Sequence, residues 1–203
     1  MKVTIFKNVF DKKAPHHIPL HQALERIQNG KSSTLVSKVR DGDKTKKQEL
    51  PVVCFSGEFS SRSDDALFEH SGFIILDFDH VDVDQTKRAL ATDDFIHSCW
   101  TSPSGAGVKA LVKVTNPERH RDHFRALVKY FERTHGLEVD ESGINESRAC
   151  FESYDPNLII NEESTTFGAF ATEKSESQVA VSQSGSYTDY LKLNLAARMI
   201  RQC

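Results

Sequence analysis

The chain has 203 residues, with 26 basic and 29 acidic side chains and a formal net charge of −3. It is long enough for one domain with a real core, and it carries no global positive field of the kind that marks a nucleic-acid binder. Its longest apolar runs are strand-sized and Met1–Lys7 lacks the apolar core of a signal peptide, so no membrane partner is expected and the localisation expected is cytoplasmic.

In chain order, Lys2 to Val9 alternates like a strand, and Ile18 to Gly30 reads as a helix with Leu20, Leu24 and Ile27 on one face and Asn29-Gly30 as its stop. Thr34 to Arg40 is strand-like and runs into a basic stretch, Lys38, Arg40, Lys44, Lys46 and Lys47, around an Asp41-Gly42-Asp43 turn. Such a run is either a solvated loop or a phosphate-contacting element. Leu50 to Phe55 is the next strand, followed by a short Asp64 to Glu69 helix and the apolar strand Phe73 to Asp79. A helix spans Gln85 to Ala91 with Asp82 or Asp84 as N-cap. Strands over Phe95 to Thr101 and Val108 to Val114 make a hairpin across the turn Ser102 to Gly107.

The clearest helix has Asn116 as N-cap, Pro117 in its first turn, a core stripe of Phe124, Leu127, Val128 and Phe131, and Gly136 as its end. Its His120, His123 and His135 lack a further ligand beside them and read as surface residues. Leu137 to Asp140 and Ala149 to Tyr154 are short strands about the Glu141 to Asn145 loop, and Asp155-Pro156 turns the chain into Leu158 to Ile160. Residues 1–170 form the expected catalytic domain, 171–186 a polar linker, and 187–203 a helix with Leu191, Leu195, Ala196 and Met199 in register. That helix either docks on the body or opens a further domain. Cys54, Cys99, Cys150 and Cys203 form no CxxC pair and read as reduced thiols, three of them in the core.

Three elements suit chemistry. Asp77 and Asp79 end the strand Phe73-Ile74-Ile75-Leu76-Asp77-Phe78-Asp79, and side chains two apart share a face, so one or two hard cations fit between them. The plain alternative is that these acids solubilise a strand end. The turn Ser104-Gly105-Ala106-Gly107-Val108-Lys109 has neither the spacing of a Walker loop nor the strand-to-helix setting of a dinucleotide fingerprint. It is a tight turn whose amides can approach phosphate, or a hairpin turn with exposed lysines, with Lys109 and Lys113 on one face. Asp140 is another acid at an expected strand end, with Arg148 eight residues on to neutralise it or a phosphate.

In this order the three elements resemble the archaeo-eukaryotic primase superfamily, the catalytic domain of primase-polymerases. Asp77 and Asp79 match its first motif, Ser104 to Lys109 its second and Asp140 its third. A closer resemblance is to the primase-like domain that precedes VirE-type helicase domains in phages and mobile elements, carried by residues 50–59, 72–79, 101–109 and 148–156. The resemblance implies an α+β fold: an RRM-like antiparallel sheet with helices on one face plus an N-terminal α/β unit. It implies a DNA primase/polymerase, a nucleotidyltransferase in which Asp77, Asp79 and Asp140 hold Mg²⁺ or Mn²⁺. Ser104, Gly105, Gly107, Lys109 and Arg148 would bind the dNTP or NTP, and Lys44, Lys46, Lys47 and Arg62 would contact phosphates of the DNA template and primer. A helicase domain or protein is the implied further partner. Lys109 stands where the superfamily carries histidine; lysine still pairs with triphosphate as a point charge but does not shuttle a proton at neutral pH. Two other classes use the same residues: a non-catalytic single-stranded DNA-binding or replication-initiation module, and a metal-dependent nuclease.

Overall fold

The computed structural model describes residues 1–171. The expected linker, save its first residue, and the expected 187–203 helix with Cys203 lie outside the described residues. In chain order the elements are β1 (Lys2–Phe6), β2 (His16–Pro19), α1 (Leu20–Gln28), α2 (Ser33–Arg40), β3 (Val52–Cys54), β4 (Gly57–Phe59), β5 (Leu67–His70) and β6 (Phe73–Asp79). There follow α3 (Val83–Ala91), β7 (Ile96–Thr101), β8 (Gly107–Lys113), α4 (His120–His135), β9 (Cys150–Phe151) and β10 (Ile159–Ile160). The fold is mixed α+β. Two four-stranded antiparallel sheets run in the orders β2-β1-β3-β9 and β10-β7-β8-β6, and β4 and β5 form a separate hairpin. Among the described residues no helix is long and apolar enough to cross a membrane.

The two sheets share a core. Val3, Ile5 and Val53 of the first, with Phe55 just after β3 and Leu20, Leu24 and Ile27 of α1, meet Phe73, Ile75, Trp100 and Leu111 of the second. The opposite face of the second sheet, with Ile74, Leu76, Phe78, Val108, Ala110 and Val112, is covered by Leu90 of α3 and by Phe124, Leu127 and Phe131 of α4. Strand β6 is thus buried on both faces, which is why its sequence is a continuous apolar run. Each of its large side chains is worth about 1.5–3 kcal/mol on burial. A one-residue slip would exchange the faces, so that burial fixes the register. Parity then puts Asp77 and Asp79 on the side of Phe73 and Ile75, toward the first sheet.

Several local expectations change. Thr34–Arg40 is not a strand but most of α2: Val36 and Val39, three apart, bury one helical face against Leu50, and helical spacing overrides the β-branched composition. Ile18 and Pro19 belong to β2, so α1 begins at Leu20. The helix expected over Asp64–Glu69 is a 3-10 turn at Asp64–Ala66 that gives way to β5. Asp82 caps α3, its carboxylate accepting from the Gln85 N–H at 2.9 Å. Asn116 caps nothing with its side chain; it turns the chain in the left-handed region into a 3-10 turn at Pro117–Arg119, and α4 starts at His120. Gly136 does end α4, at φ 65°.

Leu137–Asp140 forms no strand. His120 and His123 are not surface residues but are buried at 2% and 0% exposure. The ring nitrogens His70 Nε2 and His120 Nδ1 lie 2.9 Å apart, and His123 Nδ1 meets the Ala169 carbonyl at 2.7 Å. Cys54, Cys99 and Cys150 are buried and unbridged, as expected.

Candidate functional site

Strand β6 carries Asp77 and Asp79 out of the core to the point where the sheets part. His80, at a left-handed φ of 56°, then turns the chain away. The segment after α4 runs back along the end of β6, where the Asp140 N–H donates to the Asp77 carbonyl at 2.8 Å. This main-chain bond brings the third acid to the first two. One oxygen from each of Asp77, Asp79 and Asp140 lies within 4.8 Å of the others, the span of oxygens sharing one hard cation at bond lengths of roughly 2.0–2.6 Å. Among the described residues Asp77 Oδ1 is buried with no hydrogen-bond partner. An orphaned carboxylate oxygen is costly unless something positive meets it, so the three acids fit a hard cation on chemistry as well as spacing.

Two resident cations face the acids. Asp77 and Lys109 are direct cross-strand partners in the β6–β8 register, and Lys109 Nζ donates to Asp77 Oδ2. Lys109 is 7% exposed, so the expected exposed hairpin lysine is a buried one. Burial opposes its charge, but Cys150 and Asp77 outweigh that and hold its pKa above the usual lysine range. Arg148 donates to Asp140 Oδ2 at 2.7 Å and stands 4.0 Å from Asp77. Burial raises the Asp140 pKa, yet the Ser142 N–H and hydroxyl together with Arg148 prevail and keep it below the usual carboxylate value.

The glycine turn sits beside this cluster. A Cβ on Gly107 would lie 2.6 Å from the Phe78 carbonyl, so only glycine lets β8 approach β6 here. Gly105 takes φ 77° and its N–H donates to the Ser102 carbonyl at 3.0 Å, so it shapes the turn. The Ser102 and Ser104 hydroxyls are 3.0 Å apart. A cavity of about 420 Å³ opens between the sheets, and Asp77, Asp79, Ser104, Lys109, Arg148, Lys47 and Arg62 all line it. Lys47 lies over the Phe151 ring, 5.3 Å from its centre. Arg62 Nε is buried without an acceptor among the described residues. Lys46 pairs instead with Glu49 at 2.6 Å, and neither it nor Lys44 lines the cavity.

A family model described as BT4734-like, N-terminal domain, matches residues 45–159, more than half of the chain. The chain belongs to this family. No curated protein and no solved structure matches it. The BT4734-like span takes in the three acids, the glycine turn, Arg148 and Arg62, and leaves β1, β2, α1 and α2 outside it.

Within the BT4734-like domain the cavity also has walls that sequence reasoning did not single out: Ser102, Pro103, Ser142, Asn145, Ser147 and Phe151. The loop after Asp140 was the available signal for Ser142 and Asn145. Behind the glycine turn, Asp155 accepts from Lys87 Nζ at 2.6 Å and from the Thr101 N–H at 2.7 Å. Arg40 of α2 donates to the carbonyls of Ser102 and Tyr154 at 3.2 and 2.9 Å. These supports join residues too distant in sequence for any local pattern to reveal.

Proposed function

We propose that this BT4734-like domain is a primase-polymerase-like nucleotidyltransferase that works on a DNA template with dNTP or NTP and Mg²⁺ or Mn²⁺. The observation that carries the reading is the buried Oδ1 of Asp77, partnerless among the described residues, within a three-carboxylate cluster of which Asp77 and Asp79 line a cation- and serine-lined cavity. Asp77, Asp79 and Asp140 would hold the ions, which supply Lewis-acid stabilisation of charge on the reacting phosphate and on the attacking oxygen. Lys109 and Arg148 would balance the triphosphate charge, Ser104 would hydrogen-bond it, and Lys47 and Arg62 at the rim would meet template or primer phosphates.

The fold supports the same reading. Strands β6, β7 and β8 with α3 and α4 follow a β-α-β-β-α order, β8 lies between β6 and β7, and both helices cover one face, as in a split β-α-β or RRM-like half. The last strand, β10, pairs with β7, leaving the β6 edge to the Asp140 segment.

The pairing of Asp77 with Lys109 and of Asp140 with Arg148 favours a second reading, a single-stranded DNA-binding module whose acids are neutralised without metal. Incubation with a primed template, labelled dNTP and Mn²⁺ or Mg²⁺ separates the two. Metal-dependent extension that falls at least about a thousandfold in Asp77→Asn/Asp79→Asn is the expected outcome, given that removing a transition-state contact lowers kcat directly. Template binding without extension in any metal overturns the enzyme reading. Strand cleavage without added nucleotide replaces it with a nuclease.

A further inference from the structure

Two phenylalanines outside the acid cavity are exposed on a surface with few other large apolar side chains: Phe10 is 70% and Phe68 61% exposed. Phe10 lies in the loop between β1 and β2, and this loop is built. Asn8 Oδ1 accepts from the N–H groups of Phe10 and Asp11, each at 3.0 Å, and Asp11 Oδ1 accepts from those of Lys13 and Ala14 at 3.3 and 3.1 Å. The loop is fastened to the cavity wall, because Arg62 donates from its N–H to the Lys12 carbonyl at 2.9 Å and from its guanidinium to the Val9 carbonyl at 2.5 Å. Phe68 rests edge-on against His17, ring centres 5.5 Å apart. The His16–Ile5 pair closes the loop and His17–Thr4 is the next rung, so both rings flank one end of the β1–β2 hairpin.

Of the loop's own charged side chains, it is the cations that are left to a partner, whereas beside Phe68 stands the exposed Glu69. Lys7, Lys12 and Lys13 are exposed and form no ion pair among the described residues, while the Asp11 carboxylate is engaged by the loop's own amides. Two separate rings, Phe10 among the loop lysines and Phe68 on His17, do not make the contiguous apolar patch of several hundred Å² that a protein partner needs. One ring per base among phosphate-binding cations is what a single strand needs.

We propose that Phe10 and Phe68, with Lys7, Lys12 and Lys13, form a stacking platform for single-stranded nucleic acid that leads past Arg62 into the acid cavity. This rests on the nucleotidyltransferase reading for its purpose, since a template must reach the acids unpaired, but not for its measurement.

The test is fluorescence anisotropy of a labelled 12-nucleotide oligo-thymidine on the full chain, with oligo-uridine as a second arm to separate DNA from RNA. Phe10→Ala/Phe68→Ala should weaken binding about tenfold or more, because stacking on a ring is worth about five- to a hundredfold per base. The salt slope should not change. Lys7→Ala/Lys12→Ala/Lys13→Ala should instead lower the slope of log K against log salt by about 2. Both sets lie at exposed positions, and circular dichroism should report an unchanged fold. Binding within twofold of wild type in the double phenylalanine variant overturns the proposal, as does a wild-type chain that binds neither strand. Platform binding in a chain that never extends a primer would sink the enzyme reading and leave the platform standing.

Discussion

Lys87 and Lys109 are both buried lysines that end on an aspartate, yet the two aspartates are surrounded differently. Asp155 Oδ2 accepts from Lys87 at 2.6 Å and from the Thr101 N–H and hydroxyl at 2.7 and 2.9 Å, while its Oδ1 accepts from the Asn157 N–H at 2.9 Å. Burial raises its pKa, but Lys87 and Thr101 outweigh that and hold it below the usual value. Asp77 shares Oδ2 with Lys109 and leaves Oδ1 buried with nothing to accept from. A satisfied buried pair holds a structure together; a half-satisfied one facing a cavity is a place for a ligand. The lysine is common to both, and the count of donors around the carboxylate separates them.

The largest expected effect breaks the satisfied pair. Asp155→Ala should lower the unfolding free energy by about 3–5 kcal/mol, because Lys87 is left charged and buried, whereas Asp79→Ala at the exposed strand end should stay within about 0.5 kcal/mol. Denaturant melts check both, and equal losses would mean that the Lys87–Asp155 pair adds no more to stability than an exposed strand-end acid.

A second effect belongs to neither aspartate and serves as a control on both. Burial pushes the His70 pKa down to about 4, with His123 adding to the shift, and that of His120 to about 3, with His70 adding to it. Both are neutral in the folded chain and take up protons near pH 6.5 when unfolded. Stability is therefore complete above about pH 6.5 and is lost as pH falls through the window down to about 4–3. Urea melts should show a loss of about 2–3 kcal/mol per histidine between pH 7.5 and 4.5. His70→Asn/His120→Asn should flatten that slope, and an unchanged slope would assign the acid sensitivity elsewhere.

The smallest effect sharpens the comparison most. Lys109→Ala removes the resident cation from a carboxylate that a divalent ion can still reach, so Mn²⁺ at ten times its Kd should restore about 1.4 kcal/mol. That is a Tm gain of about 3–6 °C for a chain of this size. Lys87→Ala should gain nothing from the same ion. Rescue of both lysine variants alike would mean that the ion acts nonspecifically.

What could be read from sequence follows the range of the interaction. Strand β6 with its acids, the β7–β8 hairpin and the α4 stripe are local patterns, and the structure has all three. Asp77 opposite Lys109 needs only the register of that antiparallel pair. Helix α2 was hidden because Leu35, Val36 and Val39 read as β-formers until Leu50 gives their face something to bury against. Arg40, Lys87 and Asp155 were invisible as supports, since each acts on a turn far along the chain. His120 and His123 misled for the same reason: their partners are His70 and the Ala169 carbonyl, on other segments.

The single main-chain bond from Asp140 to Asp77 has a bearing on when the site comes into being. It joins the end of β6 to a segment separated from it by α3, the β7–β8 hairpin and the whole of α4, so it closes a long loop, and contacts of that kind are slow to form. A chain with β6 and its hairpin in place but α4 undocked would hold two acids and lack the third. Divalent-ion affinity should therefore appear late in refolding, together with the docking of α4, which makes ion binding a reporter of the completed native state.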